Sequence, residues 1–150
     1  MRNLIPLVVF IGFGTRLSVI DLKVHRLPNQ LVAWFTATQI ATLIALSLDD
    51  INDLNLPVLV AIGTSAIYLI LFVLSRGSLG MGDVKFAFPL GLIVGWYAPE
   101  LWLIAIFGTF LRAGVVALVG IIAKRMNRQS KLALGPYMFL STLLTCVVGM

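Results

Sequence analysis

Residues 101–123 read LWLIAIFGTFLRAGVVALVGIIA, a run whose only charged side chain is Arg112. About 20 apolar residues carry a helix across the hydrocarbon core of a bilayer, so the run predicts a transmembrane helix. Working outward, five further apolar runs flank it: Leu4–Ile20, Gln30–Leu48, Leu56–Ser75, Phe86–Ala98 and Leu132–Met150. Phe86–Ala98 is short. It crosses only if its helix begins earlier, near Asp83, or if the bilayer thins there, and Pro89 within it is a site for a kink. No stretch alternates in polarity as a barrel strand does, and backbone groups in lipid must be satisfied within their own segment. The expectation is an all-α, polytopic membrane protein with about six transmembrane helices, one domain over residues 1–150.

Composition agrees. The chain is 60% hydrophobic and 11% charged, with a mean hydropathy of +1.05. A soluble domain keeps about a quarter of its residues charged, so these charges are too few to cover a water-facing surface. The single cysteine, Cys146, lies in an apolar run and reads as a packing residue. The net charge of +5 is no nucleic-acid footprint, because the basic residues sit in short loops between apolar runs. Met1-Arg2-Asn3 before an apolar run resembles a signal peptide. Arg16 interrupts that run and no A-x-A-like cleavage site follows, so a retained first helix is expected.

The loops alternate in charge. Lys23 and Arg26 lie in the first, Arg76 and Lys85 in the third, and Lys124, Arg125, Arg128 and Lys131 in the fifth, whereas only Arg2 lies on the opposite side. The positive-inside rule then makes loops 1, 3 and 5 cytoplasmic and puts both termini outside. Arg16 is near enough to a helix end to snorkel. Arg112 is mid-run and is expected to face the bundle interior, with a partner the sequence does not name.

Asp21 closes the first helix and Asp83 opens the fourth. The end of an odd helix and the start of an even helix share one side, so both carboxylates stand at the cytoplasmic face. Asp49, Asp50, Asp53 and Glu100 lie opposite. Two carboxylates that approach closely share one proton. The ionised member takes a proton from water while the protonated member hydrogen-bonds a scissile carbonyl, which is aspartic-protease chemistry. The pair titrates as a unit, so neither residue receives a fixed role. Taken singly, each has a plainer reading: Asp21 as an interfacial helix-end charge, Asp83 as an acid favoured by the helix macrodipole. Gly80-Met81-Gly82-Asp83-Val84-Lys85 adds to the chemical reading, because two glycines before an acid permit close backbone approach and unusual dihedrals.

Gly80-Met81-Gly82-Asp83-Val84-Lys85 resembles the G-x-G-D-x-K motif of type IV prepilin peptidases, which are membrane aspartyl proteases. Asp21-Leu22-Lys23-Val24-His25-Arg26-Leu27-Pro28-Asn29 is similar to the first motif of that family, and Gly135-Pro136-Tyr137 to a third element in the last helix. The three occur in family order and the resemblance covers essentially the whole chain. It implies that Asp21 and Asp83 are the catalytic pair. It also implies a prokaryotic cytoplasmic-membrane enzyme that cleaves prepilin or pseudopilin leaders, typically after a Gly, at the cytoplasmic border. Gly80 and Gly82 are expected to shape the backbone beside Asp83, Lys85 to tune the local field, and Gly135 and Pro136 to allow a bend or close packing in helix 6. Two departures stand out. The N-terminal methyltransferase region of many bacterial members, often with paired zinc-binding cysteines, has no counterpart here, so peptidase activity alone is expected. The Pro-Phe that usually precedes the Gly-Pro step is Ala133-Leu134.

No cofactor is expected. One His, one Cys and two cytoplasmic carboxylates make a poor zinc donor set. The expected partners are prepilin-like substrates with a basic leader and an apolar helix, and membrane lipid. His25, beside Lys23 and Arg26, reads as a solvated polar residue. Asp49, Asp50 and Asp53 lack the Gly and terminal Glu of a calcium loop. Gly91 and Gly95 form a G-x-x-x-G step that suits close helix packing. Two rival classes remain. A transporter or proton relay would place its ionisable residues at mid-helix depth and show a repeat. A non-catalytic scaffold would make both acids boundary charges.

Overall fold

The computed structural model describes residues 4–76, 79–124 and 132–150. The loop cations Arg125, Arg128 and Lys131, and Arg2 at the start, lie outside the described residues. Six α-helices follow in chain order: α1 Ile5–Val24, α2 Asn29–Leu46, α3 Asn55–Leu74, α4 Met81–Tyr97, α5 Trp102–Ile122 and α6 Gly135–Gly149. Short 3-10 turns, Ile51–Leu54 and Pro99–Leu101, lead into α3 and α5. Each helix overlaps one of the six apolar runs, and α4 starts at Met81, early enough to carry Asp83 in its first turn.

Among the described residues three segments are long and apolar enough to cross a membrane: Ile5–Val24, Ile51–Leu74 and Pro99–Ile122. Gly135–Gly149 is apolar but shorter. The exterior matches that character. Val8, Leu59, Val73, Phe107, Leu111 and Ile122 are each at least 66% exposed, an arrangement that suits hydrocarbon and not water.

Local chemistry explains the helix ends. Prolines stand in the first turns of α1 and α6, where the missing N–H costs nothing. His25 closes α1 in the left-handed region at φ 52°, and its N–H donates to the Asp21 carbonyl. Pro28 then holds an extended backbone from which α2 starts. Thr36, Thr38, Thr42, Thr64, Thr109 and Thr145 each donate to the carbonyl one turn back in their helix. No hydroxyl of theirs is then left to face lipid alone.

Helix α4 is the axis of the bundle. Eleven of its 17 residues are buried, and it packs most extensively on α3 while also touching α1, α2, α5 and α6. The closeness to α3 depends on the glycine step. A Cβ at Gly91 would lie 2.5 Å from the Ala61 Cα, and one at Gly95 would lie 2.6 Å from the Pro57 Cα. The G-x-x-x-G step is therefore filled within the chain. Gly91→Leu is expected to force α3 and α4 apart, with an overpacking cost of about 3 kcal/mol or more. Thermal unfolding in detergent checks this, with a much lower midpoint expected.

Candidate active site

Three helix ends meet at one end of the bundle. The last turn of α1 supplies Asp21, the first turn of α4 supplies Asp83, and the first residue of α6 is Gly135. Asp21 is buried, and its Oδ2 accepts the Gly135 N–H at 2.9 Å. That N–H is one of the donors that a helix start leaves without an intrahelical partner, and the positive end of the α6 dipole favours an acid there. The fit is close: a Cβ at position 135 would stand 2.8 Å from Asp21 Oδ2 and 3.3 Å from both its Cβ and its Cγ. Gly135 and Pro136 thus stand at the very start of α6, not at a bend within it. What Gly135 provides is room for a carboxylate from α1.

Asp83 is half-buried. Its backbone N–H donates to the Gly80 carbonyl at 3.0 Å, which sets the first turn of α4. Asp83 lies within electrostatic reach of Asp21. The expected unusual dihedrals at the glycines are not found: Gly80 has φ −72° and ψ 138°, a conformation open to any residue. Its use is spatial, because a Cβ there would come 3.1 Å from Asp83 Oδ2. At Gly82 a Cβ would come 3.1 Å from Leu27 Cβ, so this glycine lets the connection between α1 and α2 lie against the start of α4. Close approach, the other expected property of these glycines, is present at both.

Lys85 makes a contact that its charge alone does not suggest. Its Nζ donates to Asn29 Oδ1 at 3.1 Å, tying the start of α4 to the start of α2. Asn29 was legible only as part of the Pro28-Asn29 step. Both residues are exposed, so the bond is worth about 1 kcal/mol or less. Lys85→Ala and Asn29→Ala are each expected to lower the unfolding midpoint slightly, and the double variant no further than one alone. Thermal unfolding of the three variants checks this.

One neighbour escaped the sequence reading. Tyr68 on α3 is buried, hydrogen-bonds Thr109 and lies within electrostatic reach of Asp83. Nothing marks a tyrosine inside an apolar run as within reach of an acid at the start of the next helix. His25 is exposed, as expected of a solvated residue. Among the described residues no three His, Cys, Asp or Glu side chains converge as a metal site would require.

What this arrangement can do is specific. A buried, held carboxyl and a half-buried one stand at the same end of the bundle, with Gly80 and Gly135 leaving room beside them. A water between two such groups can be deprotonated by one while the other donates to an electrophilic carbonyl. Comparison with known proteins adds one finding: a model of the type IV leader peptidase family matches residues 8–150. No curated protein and no solved structure matches the chain.

Proposed function

We propose, for a chain that belongs to the type IV leader peptidase family, that Asp21 and Asp83 form an aspartyl dyad that cleaves basic leaders from prepilin-like proteins. The observation that supports this reading is the placing of both acids at one end of the bundle, Asp21 fixed by the Gly135 N–H and Asp83 within its electrostatic reach. In the proposed reaction the ionised member of the pair takes a proton from the water held between them. The water oxygen attacks the scissile carbonyl carbon, and the protonated member hydrogen-bonds the carbonyl oxygen as charge develops there. The tetrahedral species then collapses with breakage of the C–N bond. A proton passes to the leaving nitrogen, and the pair again holds one proton. Either carboxyl can begin as the acid.

The same reading places all six helices across the cytoplasmic membrane of a prokaryote. Loops 1, 3 and 5 are cytoplasmic, both termini outside, and the dyad at the inner border. Trapping of the shorter α4 and α6 among longer neighbours, with local thinning of the bilayer, accommodates their length. A substrate that presents a basic segment before an apolar helix would set its scissile bond at that border.

The test is direct. Vesicles holding the protein are mixed with a full-length prepilin, and the products are identified by mass spectrometry. One cut is expected, between the basic leader and the apolar helix, with a rate unchanged by a metal chelator. Absence of cleavage, or cleavage scattered along the chain, would sink the proposal.

A further inference from the structure

The core of the bundle carries hydroxyls that its apolar neighbours cannot serve. Thr64 and Tyr68 on α3, Thr109 on α5 and Thr142 on α6 are all buried, and all four border one small cavity that lies against Gly91 of α4. Every residue lining it is buried except Trp102, which is half-buried. Its volume of about 10 Å³ is about the size that admits a single water molecule, and too small for an acyl chain or a side chain. The cavity is well separated from the dyad. Thr142 lies seven residues along α6 from Gly135, the residue bonded to Asp21. At about 1.5 Å per residue that is about 10 Å deeper into the bundle.

The donors and acceptors around this cavity do not match one another. Thr64 donates its hydrogen to the Val60 carbonyl at 2.7 Å, and Thr109 donates to the Ala105 carbonyl at 2.9 Å. Tyr68 hydrogen-bonds Thr109. The Thr109 hydrogen is already committed, so the phenol is the donor in that bond. Three oxygens are thus left able only to accept. Thr142 has the opposite need: among the described residues nothing accepts its hydrogen and nothing donates to it. A buried hydroxyl without a partner costs more than a made bond returns, and at this depth bulk water does not reach it.

We propose that the cavity holds one resident water molecule. The water accepts the Thr142 hydrogen and donates its own two hydrogens to the lone pairs of two among Thr64, Tyr68 and Thr109. Three polar partners are the usual number for a buried water. The molecule thereby ties α6 to α3 and α5 across the face of α4. Direct packing of α5 on α3 and on α4 is slight, so a bridging water adds a link where few others exist. It is distinct from the water that attacks the scissile bond, and its presence does not depend on peptidase chemistry.

One substitution separates a wet cavity from a dry one by the sign of its effect. Thr142→Val keeps the shape of the side chain and removes its hydroxyl. With a water present, that water loses its donor, and the unfolding midpoint is expected to fall by roughly 2–4 °C, the loss of about one hydrogen bond in a chain of this size. In a dry cavity valine would remove an unpaired hydroxyl, and the midpoint would hold or rise, which would overturn the proposal. A second measurement needs no variant. Crystals of the unaltered protein grown from a lipid phase are expected to show one compact density peak within about 3.2 Å of Thr142 Oγ1 and of two of the other three oxygens. No peak there, or the elongated density of a lipid chain, would overturn the proposal whatever the midpoint does.

Discussion

Asp83→Asn is expected to lower leader cleavage by roughly 10³-fold or more, with the protein still folded and inserted. Asparagine keeps the shape of the side chain but can neither take a proton from water nor pass one back. Asp21→Asn is expected to do the same. Its carbonyl oxygen can still accept the Gly135 N–H that holds Asp21 in place, so the helix ends stay together while the chemistry goes. The double variant is expected to be no slower than either single one, because two groups that share a proton fail as a unit. Initial rates in vesicles, paired with unfolding midpoints in detergent, check this. Cleavage above a tenth of the normal rate in either single variant would mean that the dyad does not drive the reaction.

The second large effect is expected at a residue that carries no chemistry. Gly135→Val puts a branched side chain where even a single Cβ would stand 2.8 Å from Asp21 Oδ2 and 3.3 Å from its Cβ and Cγ. Swinging the carboxylate aside cannot relieve contacts with all three atoms, since Cβ is fixed to the α1 backbone. Either the start of α6 moves or the Gly135 N–H loses its acceptor, and in both cases Asp21 leaves its position. Misplacement of a reacting group by about 1 Å costs about 100-fold in rate, and overpacking costs about 1–3 kcal/mol in stability. Gly135→Ala is expected to fall between Val and the normal protein. The check is the rate of leader cleavage relative to the unfolding midpoint across the series. A Gly135→Val protein that cleaves at the normal rate would show that the tight fit at Asp21 is irrelevant to catalysis.

Most of the helical layout was legible in the sequence, because apolar runs of membrane length admit little besides helices. Parity along the chain also placed Asp21 and Asp83 on one side without reference to any contact. What parity does not give is the rotation of each helix about its axis, and the contacts that depend on rotation were the ones not legible. Lys85 was read for its charge alone, and its bond to Asn29 was not legible. Of the two properties that the glycines before Asp83 permit, Gly80 uses the close approach and not an unusual dihedral. The partner of Arg112 was unnamed because Ser141 lies 29 residues on and faces α5 only at this rotation of α6. Tyr68 was hidden for the same reason. The Gly91 and Gly95 step was readable as a close contact, but its partner, α3, was not.

Everything above depends on the side chains of residues 21 and 83 being neighbours in the membrane. With Cys146 replaced by Ser, the pair Asp21→Cys and Asp83→Cys can be joined in native membranes by a short thiol-to-thiol reagent. Rapid crosslinking within one chain is the expected result, with both thiols reached from the cytoplasmic side. Two reactive thiols that label from opposite sides of the membrane, or that never join, would contradict it.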